Sequence, residues 1–287
     1  MSGLWFVLRK LWADRLARVG LIIIFALIFC AIFAPWLATF PEHAYAFEPS
    51  ERLKPPDTMY LMGTDRMGAD IYSRVLFGAR ITIVIAVIAV GASIVIGVPL
   101  GLVAGYWGGW WSDLIMRTSD IFLAIPQVIL AIAIAQTLGP SIPNVILALS
   151  VTFWPWFTRL VFAETRALKK ETFIEATMAL GASPLRVIAL HVLPNVASPI
   201  IVRTSLGMGF TILTAAALGF LGLGAQPPTP EWGRMIAESR EYLPDAWWYA
   251  LAPGLAIFLV VMGFNMLGDG LRDVLDPRIR RSVQRGV

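Results

Sequence analysis

The chain has 287 residues, 57% of them hydrophobic and only 15% charged, with a mean hydropathy of +0.72. A soluble domain carries about a quarter charged residues, so this composition excludes an ordinary water-soluble enzyme and describes a polytopic membrane protein. The net charge of +4 does not point to nucleic acid, because the basic residues lie at the ends of the apolar runs, where the positive-inside rule puts them.

Residues 1–18 hold Arg9, Lys10, Arg15 and Arg18 among Leu4, Trp5, Leu8, Leu11 and Trp12, a spacing that suits an amphipathic helix on the cytoplasmic surface. An uncharged run at 19–38 follows. Ala44-Tyr45-Ala46 offers a signal-peptidase site, but the run has 20 residues, more than the roughly 7–15 of a signal core, which favours an uncleaved span. Cys30, the single cysteine, has no partner for an intrachain disulfide and is expected to pack among apolar neighbours. Residues 39–79 form a long external loop with balanced acids and bases, ending in MGTDRMGADIYSRVLFGAR (62–80). The next run, 81–112, is uncharged, and in it Ala89, Ser93, Gly97, Gly101 and Gly105 recur at every fourth position. That spacing puts five small residues on one helix face, where another helix backbone can approach closely.

A third span at 113–137 opens with Asp113, Arg117 and Asp120, of which Asp113 and Arg117 can pair at i and i+4, and Pro126 should kink it. A tight turn at 139–143 leads to a fourth span at 144–162, with Trp154 and Trp156 near its inner end. The fifth, 195–224, contains Arg203. An intramembrane charge is a functional-site hypothesis, but Arg203 lies about eight residues from the inner end and could snorkel there; both readings stand. An external loop at 225–248 precedes the last span at 249–267, and the tail at 271–287 is basic. Fifteen of the 23 Lys and Arg fall in cytoplasmic segments and seven in external ones, Arg203 being the remaining one. The reading is an all-α integral membrane protein with a six-span domain at 19–270 and both termini inside. Gln127, Arg203, Thr204, Ser205, Thr211 and Thr214 are polar residues within spans, candidates for lining a path or for ordinary helix–helix hydrogen bonds.

Several chemistries lack their residues. No phosphate-binding loop can be drawn, because no glycine precedes any of the four lysines, and neither a zinc-protease HExxH nor a GxSxG elbow occurs. The two histidines and the methionines offer no clustered metal ligands. The spans carry no mid-span carboxylate of the sort that couples ions or protons to a carrier. This is a pathway without an internal motor.

The polar island ETFIEATMALGASPLRVIALHVLP (171–194), at the end of a cytoplasmic loop spanning 165–194, fills that gap. Thr172 to Glu175 reads as a capping box, opening a short helix that stops at Gly181. Ser183-Pro184 starts a second helix, and Pro194 should end it. Phe173, Ile174, Ala176, Thr177 and Leu180 give an apolar face suited to a groove in another protein.

Glu175-Ala176, Gly181 and Leu193-Pro194 at this spacing resemble the EAA loop of ABC importer permeases, departing from it at Thr177 and His191. Together with the 62–80 stretch (which has Ala69 where an arginine is usual), AALGFLGLGAQPPTPEWG (216–233) and FNMLGDGLRDVLDPR (264–278), the chain resembles the C-type permease of dipeptide/oligopeptide ABC importers over nearly its whole length. The resemblance implies a type I importer permease fold. It also implies a second permease, two cytoplasmic ATPase subunits that use the ATP and magnesium, an external or periplasmic solute-binding protein, and residence in a bacterial cytoplasmic membrane. Carried over by position, Thr172, Phe173, Glu175, Ala176, Gly181 and Ala182 fall in the coupling helices. Related permeases carry glutathione or nickel complexes as well as peptides. A six-span bundle is also adequate for a stand-alone channel or secondary carrier, and no catalytic constellation supports an intramembrane enzyme.

Overall fold

The computed structural model describes residues 9–275; residues 1–8 of the expected N-terminal amphipathic segment and residues 276–287 of the basic tail lie outside it. Among the described residues every regular element is a helix, with no strand. Helix α1 (Arg15–Leu37) is capped by Asp14, whose side chain accepts from the Ala17 N–H at 2.7 Å. An irregular stretch follows, then α2 (Ile71–Trp107), α3 (Gly109–Ala124), α4 (Gln127–Leu138), α5 (Ile142–Leu168), the short α6 (Thr172–Ala179) and α7 (Pro184–Val187), a π-turn (Ile188–Val192), α8 (Leu193–Phe220), α9 (Trp232–Ser239) and α10 (Trp247–Leu275). Five of these stretches are long and apolar enough to cross a membrane, with α7 to α8 counted as one; the bent pair α3–α4 makes a sixth if it is one span.

Several boundaries differ from the sequence expectation, four of them for a local reason. Helix α2 begins at Ile71, inside the expected 39–79 loop, because its two arginines are satisfied in place: Arg74 pairs with Asp65 at 3.0 Å, both buried, and Arg80 donates to the Ala31 and Ile32 carbonyls of α1. Asp70 caps this start, accepting from the Ser73 N–H (3.0 Å) and hydroxyl (2.6 Å). Pro126 breaks the third span rather than kinking it: Ile125 is pushed to extended backbone (φ −93°, ψ 131°), as the residue before proline prefers, and α3 and α4 meet at 88°. Pro194 does not end a helix. The Leu193 N–H reaches back five residues to the Ile188 carbonyl, and the widened π-turn passes the chain through the proline into α8. The external loop at 225–248 contains α9, capped by Glu231.

The tightest contact in the bundle is α2 against α5. A Cβ added at Gly97 would stand 2.6 Å from the Trp154 carbonyl oxygen, one at Gly101 2.7 Å from that of Thr158, and one at Gly105 2.7 Å from Thr165 Cβ. The Ser93 hydroxyl donates to the Ser150 carbonyl (3.2 Å), the Ser150 hydroxyl reaches the Ala89 carbonyl (3.5 Å), and the Thr158 hydroxyl donates to Gly97 (3.1 Å). Backbone therefore meets backbone along this seam. A second such contact joins α1 to α10, where a Cβ at Gly20 would lie 2.6 Å from the Gly263 carbonyl oxygen.

At the end of the bundle away from residues 165–194, Glu231 is buried between α9 and the C-terminal turn of α8. It accepts from the Gly233 N–H (2.7 Å) and the Arg234 N–H (2.8 Å). Burial pushes its carboxyl from the ordinary 4.5 up to about 7, against the opposing pull of those two N–H groups and of the Arg234 charge. Nearby, Glu238 gathers Arg66 (3.3 Å), Arg234 (3.0 Å) and the Tyr249 hydroxyl (3.0 Å).

Two outcomes follow from these contacts. Gly101→Val should destabilise the purified protein by about 1–3 kcal/mol through overpacking, read as a lowered midpoint in tryptophan-fluorescence melting. The same change at Gly91, which faces open space, should cost much less; equal losses would show that the seam is not close-packed. Because folded Glu231 holds its proton more tightly than the unfolded chain does, its stabilisation is present below about pH 4.5 and is lost as pH rises toward 7. Thermal stability should therefore decline from pH 5 to 8, and Glu231→Gln should flatten that slope. An unchanged slope would assign the dependence to another group.

Candidate functional site

The island at 171–194 folds into an elbow of two short helices. Its first helix is not opened by a capping box. Glu171 occupies the N-cap by backbone geometry and accepts the Glu175 N–H at 3.1 Å, which makes Thr172 the first helical residue and leaves the Glu175 side chain exposed. The stop at Gly181 follows from its conformation. With φ at +84°, the Gly181 N–H returns to the Met178 carbonyl (3.0 Å) and the Ala182 N–H to Thr177 (3.3 Å), the paired bonds of a Schellman turn. Nothing lies within 4 Å of a Cβ built at Gly181, so the constraint there is backbone sign rather than space. Ser183 then takes the N-cap of α7 without a side-chain bond, and Pro184 takes its first turn.

Packing divides the elbow into two faces. Ile174 and Val187 are fully buried, sharing a core with Val98, Leu102 and Tyr106 of α2 and Val161 of α5, while Met178 and Ala182 pack beside them. Ile174 therefore belongs to the inner face, not to the docking face expected for it. The Lys169 ammonium donates to the Tyr106 carbonyl at 2.6 Å and lies 5.1 Å from the Tyr106 ring, tying the elbow's start to the end of α2. The outward face presents Phe173 (45% exposed), Leu180 (89%) and Leu185 (73%), with Glu175 and Ala176 between them. Apolar side chains this exposed, at an end of the chain's own bundle, form a patch of the sort that marks an interaction surface.

A second feature lies on the long helices. A cavity of about 320 Å³ is lined by Gln127, Phe153, Trp156, Arg203, Leu206, Gly207, Phe210 and Asn265. The helix runs back through the π-turn to Pro184, so Arg203 stands near the middle of a continuous 37-residue stretch rather than eight residues from its start. Its guanidinium lies 4.5 Å from the centroid of the Trp156 ring. On insertion scales, a charge at mid-helix costs about 2.5–3.5 kcal/mol, offset here in part by about 0.5–2 kcal/mol from the cation–π contact.

Of the six polar span residues singled out in the sequence, the structure brings Gln127 and Arg203 together at this cavity. Thr204 and Thr214 bond carbonyls of their own helix, Ser205 donates across to the Phe264 carbonyl of α10 (3.0 Å), and Thr211 is buried. Asn265 and Trp156 were not among those six. Asn265 is a polar side chain within a span, which is a usable signal. Trp156 read as an interfacial aromatic because α5 extends past the expected end at 162. The ion pair on this side of the molecule joins Asp120 to Arg159 of α5 at 3.1 Å, rather than Asp113 to Arg117.

Residues 97–281 match the family model described as binding-protein-dependent transport system inner membrane component, and residues 4–56 match the N-terminal TM domain of oligopeptide transport permease C. The chain is 48% identical to the dipeptide transport system permease protein DppC of Alkalihalophilus pseudofirmus over 95% of its own length and 89% of that protein's. It is 42% identical to the di/tripeptide transport system permease protein DppC of Pseudomonas aeruginosa (96% and 94% covered), and 45% identical to the glutathione transport system permease protein GsiD of Escherichia coli (95% and 89%). Among solved structures, the MetNI methionine ABC transporter in an inward-facing conformation superposes with a TM-score of 0.57 at 20% identity, covering 74% of this chain and 97% of that one. At this identity the likeness shows the fold alone: that of a type I importer permease.

Proposed function

The chain belongs to the family of binding-protein-dependent transport system inner membrane components, and on that premise we propose that it is one permease half of an ATP-driven importer of dipeptides or oligopeptides. It works with a second permease, two ATPase subunits that use ATP and magnesium, and an external solute-binding protein. Both termini and the elbow lie on the cytoplasmic side, in keeping with the excess of Lys and Arg there. The observation that carries the coupling reading is the two-faced elbow: Ile174 and Val187 bolt it to α2 and α5, while Phe173, Glu175, Ala176 and Leu180 face outward to seat in an ATPase groove. Thr172 opens the seated helix, Gly181 sets the bend and Ala182 packs the return.

Force from ATPase closure would enter at this face. The glycine seam makes α2 and α5 one body, so that body turns with the elbow instead of bending. Helix α8 continues from α7, and Arg203 sits 19 residues past Pro184, about 28 Å along at 1.5 Å per residue. Movement of the elbow is thereby delivered to the cavity, which opens to alternate sides. The relatives named for glutathione transport support a second substrate reading, a modified tripeptide. Stimulation of the assembled complex's ATPase by its loaded binding protein separates the two. Peptide uptake into liposomes by the purified chain without ATPase subunits would overturn the permease reading.

Gly181→Val forces a β-branched residue into positive φ, a strain of about 1–3 kcal/mol. The variant complex should hydrolyse ATP while peptide uptake falls at least tenfold. Gly181→Asn, which tolerates that conformation, should keep most of its transport. Unchanged uptake in the valine variant would remove Gly181 from coupling.

A further inference from the structure

We propose that the cavity between α4, α5, α8 and α10 is a carboxylate station, in which Arg203 grips the free carboxylate of a passing peptide. The inference rests on the peptide-importer reading and adds to it the chemical group that the permease itself reads.

Three observations support it. First, Arg203 has no internal counter-ion: among the described residues no carboxylate lies within 4.0 Å of its guanidinium nitrogens, and the only charged side chain lining the cavity is its own. Three arginines of the packed helices, by contrast, have partners within the chain. Arg74 pairs with Asp65, Arg80 with backbone carbonyls and Arg159 with Asp120. Second, the Arg203 guanidinium carbon lies over the Trp156 ring, 4.5 Å from its centroid. That cation–π contact supplies no anion, so the N–H fork that matches a carboxylate in bidentate fashion meets no carboxylate among the described residues. Third, the remaining lining is what a short peptide needs. Gln127 and Asn265 supply amides that can both donate to and accept from a peptide backbone, while Phe153, Leu206 and Phe210, with the gap at Gly207, leave apolar room for a side chain. The volume, about 320 Å³, is at the lower end of small-molecule sites. A carboxylate of the second permease would satisfy the same guanidinium, and the test separates the two.

The probes are glycylglycine and glycylglycinamide, which differ only at the carboxylate. Equilibrium dialysis measures their binding to the complete complex, without solute-binding protein, for the unaltered chain, Arg203→Lys and Arg203→Gln. The unaltered complex should bind the acid at least tenfold more tightly than the amide. Arg203→Gln should bring the ratio to about one, and Arg203→Lys should recover much of it. ATP-driven uptake of glycylglycine should fall about tenfold or more with Arg203→Gln and about threefold with Arg203→Lys. Two results overturn the inference: an acid-to-amide ratio unchanged in Arg203→Gln, or loss of the second permease from that variant on purification, which would assign Arg203 to an ion pair between the permeases. Absence of ATP-driven peptide uptake by the unaltered complex would instead sink the importer reading, whatever the Arg203 variants do.

Discussion

The structure depends first on how closely α2 can approach α5. Lipid tails are as apolar as leucine side chains, so burying apolar surface does little to drive helices together in a bilayer; van der Waals contact and interhelical hydrogen bonds must do so. At Gly97, Gly101 and Gly105 there is no room for a Cβ, and hydroxyls of Ser93, Ser150 and Thr158 bond carbonyls across the seam. The contact fixes rotation and register as well as distance. It sets the end of α2 beside the end of α5, so that Tyr106 can receive Lys169 and the shared core can hold Ile174 and Val187. The elbow is rigid because the seam beneath it is.

That seam was legible in the sequence because a four-residue spacing of small side chains has few other uses in an uncharged run. The Gly181 stop was legible for a similar reason: glycine is the residue that accepts positive φ without cost. Helix limits are less legible, because a charge or a proline marks a boundary only where the surrounding structure leaves it unsatisfied. Arg74 and Arg80 look like loop residues until Asp65 and the α1 carbonyls are seen to satisfy them. Pro126 and Pro194 look alike in the sequence but act in opposite ways. One breaks its span at 88°, and the other is absorbed by a π-turn. A capping box and a plain backbone N-cap on Glu171 differ by one residue of register, and the local pattern cannot separate them when Glu171 and Thr172 are adjacent.

The polar cavity was partly legible. Gln127 and Arg203 stand out as polar residues in apolar runs, but so do Thr204, Ser205 and Thr214, which spend their hydrogen bonds on helix carbonyls. A hydroxyl can satisfy itself on its own helix and an arginine cannot, which is why Arg203 needs Trp156 and a cavity while the threonines need nothing. Its position near a span end comes from starting the fifth span at Asn195. With the π-turn carrying the helix back to Pro184, the same residue stands at mid-length of the helix.

That continuity also bears on the coupling proposed between elbow and cavity. A helix that stopped at Pro194 would leave a joint between elbow and cavity, and movement at the elbow could be lost there as bending. The π-turn avoids this, since the Leu193 N–H finds the Ile188 carbonyl and the hydrogen-bonded column resumes on the far side of the proline. A π-turn is still wider and less regular than the helix around it, and Pro199 removes a further hydrogen bond from the column four residues before Arg203. The buried Val192 and Val196 pack that section against the same core as Ile174. That packing holds the π-turn to the elbow's own core, so the first turns of the long helix and the elbow share one set of contacts.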